Sequence, residues 1–451
     1  MRACDDFRHT DAQRRSLLDR PISRRALLQA GLGATLSVYA ARVTPLARQL
    51  EAAQASAAVA PDAPVLVNVF VPGGLDLLDT LVPTDAYGRY ADLRSSVKVA
   101  APLELGGGSG VGVHPALAQG LGGGLKGLYD RGQLGFIPGI DYANPDLSHF
   151  NSRHFWETGL ISLNAAPGWL ARWLDRHGDQ DNPFQGLSMD SGLSPLLRGA
   201  RAPVAAVQSP DDAQMWIPGV WGDWHDRYLE HYGAIAGRRP SAPGPGAVFA
   251  AARQGRYVAQ ALRPYVTHDD VDPLAPPVAY PGGADGQGSN GFAENLRYLA
   301  AMLGLPLGIR VATVEAQGDF DTHDDQKASL EQDLGKVSEA LSAFQADLDA
   351  RGLAGRVLTL VWTEFGRRPE ENSSGGTDHG AGGLAWVMGA RARSGVLTPY
   401  PDLGAFDAED NLKVTVDFRT VYASLLEQWL GTGADEVLPD AGRVGRVQLV
   451  A

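Results

Sequence analysis

Between residues 309 and 362 two short apolar runs bracket one long amphipathic stretch, and this arrangement narrows the possible folds more than any other part of the chain. Ile309-Arg310-Val311-Ala312-Thr313-Val314 and Val357-Leu358-Thr359-Leu360-Val361-Trp362 are nearly continuous and rich in β-branched residues, the pattern of strands buried on both faces. Between them Leu330, Leu334, Val337, Leu341, Phe344 and Leu348 recur at spacings of four, three, four, three and four. That is one apolar stripe on an otherwise polar helix ending near Gly352. Such a stripe also suits a coiled-coil partner, but a helix held between two strands packs on their sheet. Further strands are predicted at Val65–Val71, at Leu384–Met388 and, more weakly, at Leu134–Ile137. The fold class expected is α/β: a doubly wound, mostly parallel sheet flanked by helices, with a Pro/Gly-rich insertion.

The start of the chain reads as an address rather than as fold. Ser23-Arg24-Arg25-Ala26-Leu27-Leu28 is a twin-arginine pattern, followed by a weakly apolar segment from Ala26 to Ala41 and by small-residue sites around Ala53 to Ala57. A basic region, a short apolar region and a small-residue cleavage zone make an export signal. The apolar part is shorter than the ~20 residues of a membrane-spanning helix, and no later segment reaches that length. Residues 1–60 are therefore expected to be a twin-arginine signal and linker, read by the twin-arginine translocation machinery, with a periplasmic or extracellular destination. Residues 61–451 are expected to form a single α/β domain, with about 205–291 as a cap or insertion around the helical piece Val248–Leu262. The one cysteine, Cys4, lies in the signal, which removes disulfides and a cysteine nucleophile from the mature chain. Without residues 1–60 the chain holds 30 Lys and Arg against 47 Asp and Glu, a net charge of −17. Such acidity argues against nucleic acid as a partner.

Acids and histidines gather where the predicted strands end. Ile309–Val314 runs into Gly318-Asp319-Phe320-Asp321-Thr322-His323-Asp324-Asp325, four carboxylates and one imidazole in eight residues. Loops at the carboxyl ends of strands form the ligand crevice of open α/β sheets, and hard oxygen donors with an imidazole suit a divalent metal. Taken alone, the segment serves equally well as a helix-capping cluster, the role expected of Asp324 and Asp325. The first strand runs into Gly73-Gly74-Leu75-Asp76, the fourth into Thr363-Glu364, and Thr377-Asp378-His379-Gly380 leads into the fifth. Turn and cap roles account for any one of these; four such groups at four strand ends point to a metal. Ser148, in Asn144-Pro145-Asp146-Leu147-Ser148-His149, stands where a helix begins. A hydroxyl there meets the positive end of the helix dipole. Arg153, Arg367 and Arg368 are candidates for binding oxyanions bidentately. Of His149 and His154, which are not at i,i+4 spacing, one is expected to be structural. The Gly106–Gly110 and Gly120–Gly124 stretches lack the residues of a nucleotide cradle and read as loops.

In order along the chain, the twin-arginine signal, Gly-Gly-x-Asp after strand one, His114-Pro115-Ala116-Leu117, Ser148-His149-Phe150, Asp321-Thr322-His323, Glu364-Phe365-Gly366-Arg367 and Gly376-Thr377-Asp378-His379-Gly380 resemble a bacterial exported family known as domain of unknown function 1501. That family is similar to the alkaline-phosphatase-like superfamily, which includes sulfatases and phosphomutases. The resemblance implies an alkaline-phosphatase-like sheet with a metal centre at the strand carboxyl ends. Asp76, Asp321, His323, Glu364, Asp378 and His379 would be its ligands, and Ser148 would hold the nucleophile position. Three departures stand out. Glu364-Phe365 replaces an Asp-His pair, Asp319 competes with Asp321 by its spacing to His323, and Pro72, Leu75 and Leu77 replace Arg, Asn and Gly around the first motif.

These observations lead to an exported metal-dependent hydrolase of phosphate or sulfate esters. One or two divalent ions (Zn, Mn or Ca) would activate Ser148 or a water, and Arg153 or Arg367 would hold a small anionic ester substrate. The alternative is a non-catalytic periplasmic or surface binding and assembly protein that keeps the fold, with an exported protein or a surface glycan as partner. The tryptophans from Trp216 to Trp224 are candidates for its binding surface.

Overall fold

The computed structural model describes residues 63–199, 201–214, 227–228, 231–234, 243–269, 271–282 and 290–451. The expected export signal and the Trp216–Trp224 segment lie outside the described residues. At the centre is a nine-stranded sheet. Its strands are β1 (Val65–Phe70), β2 (Leu134–Asp141), β3 (Gly186–Ser188), β4 (Ala205–Ala206), β5 (Val311–Glu315), β6 (Val357–Trp362), β7 (Gly383–Met388), β8 (Gly395–Val396) and β9 (Val416–Asp417). The order is β8-β2-β7-β6-β1-β5-β3-β4, with β9 also paired to β2. β7 runs antiparallel to both β2 and β6, while every other pairing in this sheet is parallel.

Helices cover both faces: α1 (Gly124–Asp130), α2 (His149–Thr158), α3 (Trp169–His177), α4 (Pro243–Leu262), α5 (Gly291–Leu303), α6 (Gln326–Ala350) and α7 (Phe418–Gln428). Strand side chains alternate between faces, and β1 shows the result. Val65, Val67 and Val69 enter a core with the α5 and α6 residues Leu299, Leu330, Leu334, Leu341 and Phe344. Leu66 and Phe70 enter another with Trp156 of α2, Trp169 of α3 and Phe418 and Tyr422 of α7. Two cores on opposite faces explain why the strands read as continuous apolar runs rather than as an alternating pattern. The sheet is thus α/β and doubly wound, as the sequence predicts.

The strand–helix–strand unit that constrains the fold is present as β5–α6–β6, and it straddles β1. Because β1 pairs in parallel with β5 on one side and β6 on the other, the loops that leave these three strands emerge side by side. β2 is longer than the four residues expected, and β7 supplies the antiparallel strand of the mixed sheet. Among the described residues, no helix is long and apolar enough to cross a membrane.

Candidate metal centre

The turn after β1 brings the neighbouring loops together because it has no side chains in the way. Gly73 and Gly74 have φ of 108° and 75°, in the region that L residues avoid. A Cβ on Gly73 would lie 2.5 Å from the Asp321 amide nitrogen, and one on Gly74 would lie 2.4 Å from the Phe365 ring. Their amides donate to Glu364, from Gly73 to Oε1 at 3.0 Å and from Gly74 to Oε2 at 3.2 Å. The buried Arg367 guanidinium closes the junction. It donates to the carbonyls of Gly74 at 2.8 Å, Thr377 at 2.9 Å and Phe320 at 3.1 Å, to the carbonyl of Gly73, and to Asp321 Oδ1 at 2.6 Å. One arginine thus ties three loops to one carboxylate.

Around Asp321 stand three imidazoles. His379 Nε2 is 3.0 Å and His323 Nε2 is 3.1 Å from Asp321 Oδ1, and the two nitrogens are 3.1 Å apart. His149 Nε2 lies 3.5 Å from Asp321 Oδ2, an ion-pair distance that leaves this buried nitrogen without a hydrogen-bond partner. One ligand atom each from His149, Asp321 and His379 lies within 4.8 Å of the others, a group that could hold a metal ion.

The far nitrogen of every ring is committed. His149 Nδ1 bonds Glu364 Oε1 at 2.8 Å, His323 Nδ1 bonds Asp378 Oδ1 at 3.1 Å, and His379 Nδ1 bonds the Leu147 carbonyl at 2.9 Å. A carbonyl only accepts, so Nδ1 of His379 carries the proton and the neutral ring presents a lone pair at Nε2. Leu147 holds φ at 60° while presenting that carbonyl, a left-handed conformation of the kind that clusters at functional sites. Lone pairs from imidazole and carboxylate facing one another require a cation between them, either a proton or a metal. Ligand edges of a tetrahedral shell with bonds of about 2.0 Å would be about 3.3 Å, close to the separations among Asp321, His323 and His379.

The electrostatics follow from this crowding. Burial pushes the Asp321 carboxyl up, but the neighbouring imidazoles of His149, His323 and His379 and the Arg367 charge outweigh it, holding the carboxyl well below the usual range. Burial pushes His149 down, yet the carboxylates of Asp321 and Glu364 lift it to about 9. The hydrogen bond to Asp321 raises His323, whereas burial lowers His379.

Of the residues expected to bind metal, Asp321, His323 and His379 share this cluster. Glu364 and Asp378 stand one step back. Glu364 accepts from His149, Gly73, Gly74 and Thr363, and orients an imidazole rather than facing the centre. Asp378 does the same for His323. Asp76, expected as a further ligand, is placed apart from this cluster. It caps the Leu77–Thr80 turn of helix by accepting from the Asp79 amide at 2.9 Å, and its Oδ2 pairs with the buried Arg94 at 2.7 Å. Gln326 donates to both Asp76 and Asp79, which completes a separate buried network. Asp325 occupies the N-cap position of α6 but makes no side-chain cap bond, and Asp319 accepts from the Asp321 amide.

The arginines expected to hold substrate are both engaged with protein groups. Arg367 is fully buried and spent on the junction. Arg153 is paired with Glu157 at 2.8 Å and Glu315 at 2.9 Å. Ser148 is the N-cap of α2 and makes no cap bond through its hydroxyl. It lies between Leu147 and His149, both of which touch the cluster. His149 is the functional candidate that sequence reasoning left undecided. Its signal was its place as the first residue of a helix entered from a strand end. His154 stands apart from the cluster, 3.3 Å from the Asn164 carbonyl.

No curated protein matches the sequence. Among solved structures, the chain is similar to a histidine-to-glutamate variant of TAB5 alkaline phosphatase with magnesium bound in its M3 site. The identity is 11%, the TM-score 0.31, and the match covers 73% of this chain and 91% of that one. Residues 281–430, the segment that carries Asp321, His323, Glu364, Asp378 and His379 but not His149, match the family described as "Protein of unknown function (DUF1501)", and it is this family that the chain resembles.

Proposed function

We propose that the protein is an exported metal-dependent hydrolase of phosphate or sulfate esters, with its metal held by His149, His323, His379 and Asp321. The observation that carries this reading is the convergence of three imidazole Nε2 atoms on one carboxylate while each Nδ1 is bonded to an oxygen. Imidazole ligands that donate their other N–H to a carboxylate or carbonyl are a recurring arrangement in metal sites. Three nitrogens and one oxygen favour zinc, or a similar borderline ion, over calcium, which prefers oxygen ligands. Such an ion would polarise an ester oxygen and favour a deprotonated nucleophile; Ser148 adjoins the ligand His149 and its hydroxyl makes no cap bond, whereas the Thr322 hydroxyl is committed to Gln326. With Arg153 and Arg367 already paired, charge on the substrate would be met by the ion and by the free amides at the start of α2. Export by the twin-arginine route to the periplasm or beyond belongs to the same proposal and rests on the pattern at Arg24-Arg25.

One observation favours a second reading. His323 adds a fourth donor beside the His149, Asp321 and His379 group, and four protein donors on one ion would fill a tetrahedral shell, as in structural sites, whereas catalytic sites keep a position open. On that reading the fold serves binding or assembly. The full chain, loaded with zinc, separates the two on aryl phosphate and aryl sulfate substrates. Hydrolysis of either ester, abolished by Ser148→Ala with metal content unchanged, is the expected result. Stoichiometric metal with no turnover of either ester would leave the structural reading.

A further inference from the structure

On the α2 face of the sheet a row of polar side chains crosses three strands where apolar ones are expected. The parallel registers place Ser188 of β3 beside Thr313 of β5, and Thr313 beside Asn68 of β1. All three are buried: Asn68 is 0%, Ser188 1% and Thr313 4% exposed. Ser188 is satisfied by the Gly192 carbonyl at 2.9 Å and the Ser194 amide at 3.2 Å. Asn68 Oδ1 accepts from the Trp362 indole at 2.6 Å. The Asn68 Nδ2 and Thr313 Oγ1 atoms have no partner. Buried polar groups left unpaired cost stability, and a folded chain retains them where something else satisfies them.

These residues line a cavity of about 310 Å³ at the carboxyl ends of β1, β3 and β5, at the small end of the range for ligand pockets. Its lining carries Glu157, Asp190 and Glu315 against a single arginine, Arg153. The guanidinium of Arg153 lies over the Phe70 ring, 4.2 Å from its centroid, and is paired with Glu157 and Glu315. The surplus of carboxylates repels an anion. A protonated amine has no lone pair to offer the Asn68 amide. A hydroxyl both donates and accepts, so several hydroxyls on one small frame meet the amide, the threonine and the carboxylates together.

We infer that this cavity is a binding site for a neutral polyhydroxylated ligand, one ring of a saccharide. The site is distinct from the metal cluster, although His149 and Arg153 lie on successive turns of α2, about 6 Å apart along the helix. It does not depend on whether the metal centre turns over an ester. The test is calorimetric titration of the full chain with glucose, galactose, mannose and N-acetylglucosamine. At least one sugar is expected to bind, with no competition from inorganic phosphate. Thr313→Val keeps the shape and removes the hydroxyl, and should weaken binding about tenfold, the worth of one hydrogen bond. Should that variant fail to fold, Glu315→Gln at the exposed rim carries the same expectation. The inference is overturned if none of the four sugars binds, if phosphate displaces a bound sugar, or if both folded variants bind as tightly as the parent. A crystal soaked with the best of the sugars and showing only water on Asn68 Nδ2 and Thr313 Oγ1 would overturn it as well.

Discussion

Each imidazole of the cluster has one nitrogen engaged, and the strength of that engagement differs. Glu364 is buried and takes three donors besides orienting His149, the amides of Gly73 and Gly74 and the Thr363 hydroxyl. Asp378 is largely exposed, with 55% of its side chain accessible, and is screened by water. Orienting partners of metal-binding histidines typically contribute 10–100-fold to affinity, and the buried one should stand at the upper end. Zinc affinity, measured by competition with a chromogenic chelator, is expected to fall about 100-fold in Glu364→Gln and about tenfold or less in Asp378→Asn. His149→Ala and His379→Ala should each lose stoichiometric metal by elemental analysis. If His149→Ala retained its metal, the shell would be confined to the residues of the 318–325 and 377–379 loops.

At the scale of elements, the site exists because three loops that leave β1, β5 and β6 are bolted together by Arg367. Its replacement by methionine would leave the carbonyls of Gly73, Gly74, Phe320 and Thr377 without their donor and Asp321 without its cation. Removing one partner from a buried charged network costs about 3–5 kcal/mol. Arg367→Met is therefore expected to lower the unfolding free energy by that amount and to weaken metal binding. A shift below about 1 kcal/mol in urea titration would show that the junction is held by something else. This dependence on distant partners also explains what the chain reveals as a string. The strands at 65, 309, 357 and 384 and the helix from 326 follow from local periodicity, and each could be read locally. The fates of the acids could not. Asp76 and Glu364 both follow strand ends, yet Asp76 is captured by Arg94, 18 positions on, and by Gln326, 250 positions on. Glu364 is captured by amides some 290 positions back. His149 has no pattern of its own because its companions are brought by other strands.

For the molecule as a whole, the cluster links stability, pH and metal. Asp321 has a folded pKa below its unfolded value of about 3.9, so it contributes stability above that pH and loses it as pH falls through the lower folded value. His149 runs the other way. Its pKa rises from about 6.5 in the unfolded chain to about 9, so its contribution is full below the first value and fades as pH climbs to the second. His323, raised by the same carboxylate, adds to that fading. Metal-free protein should therefore lose melting temperature as pH climbs from about 6.5 toward 9. Metal needs the same Nε2 that the proton occupies. Its apparent affinity is expected to rise at least tenfold per pH unit between about pH 6.5 and 9, one proton being displaced from His149 for each ion bound and a further share from His323. Because a ligand bound only by the folded state stabilises it in proportion to the logarithm of its affinity, the gap between zinc-loaded and metal-free melting temperatures should widen from pH 6.5 to 9. Paired thermal scans at pH 6, 7.5 and 9 measure it. A gap that stays constant would mean that zinc displaces no proton from His149, and would remove that residue from the metal shell.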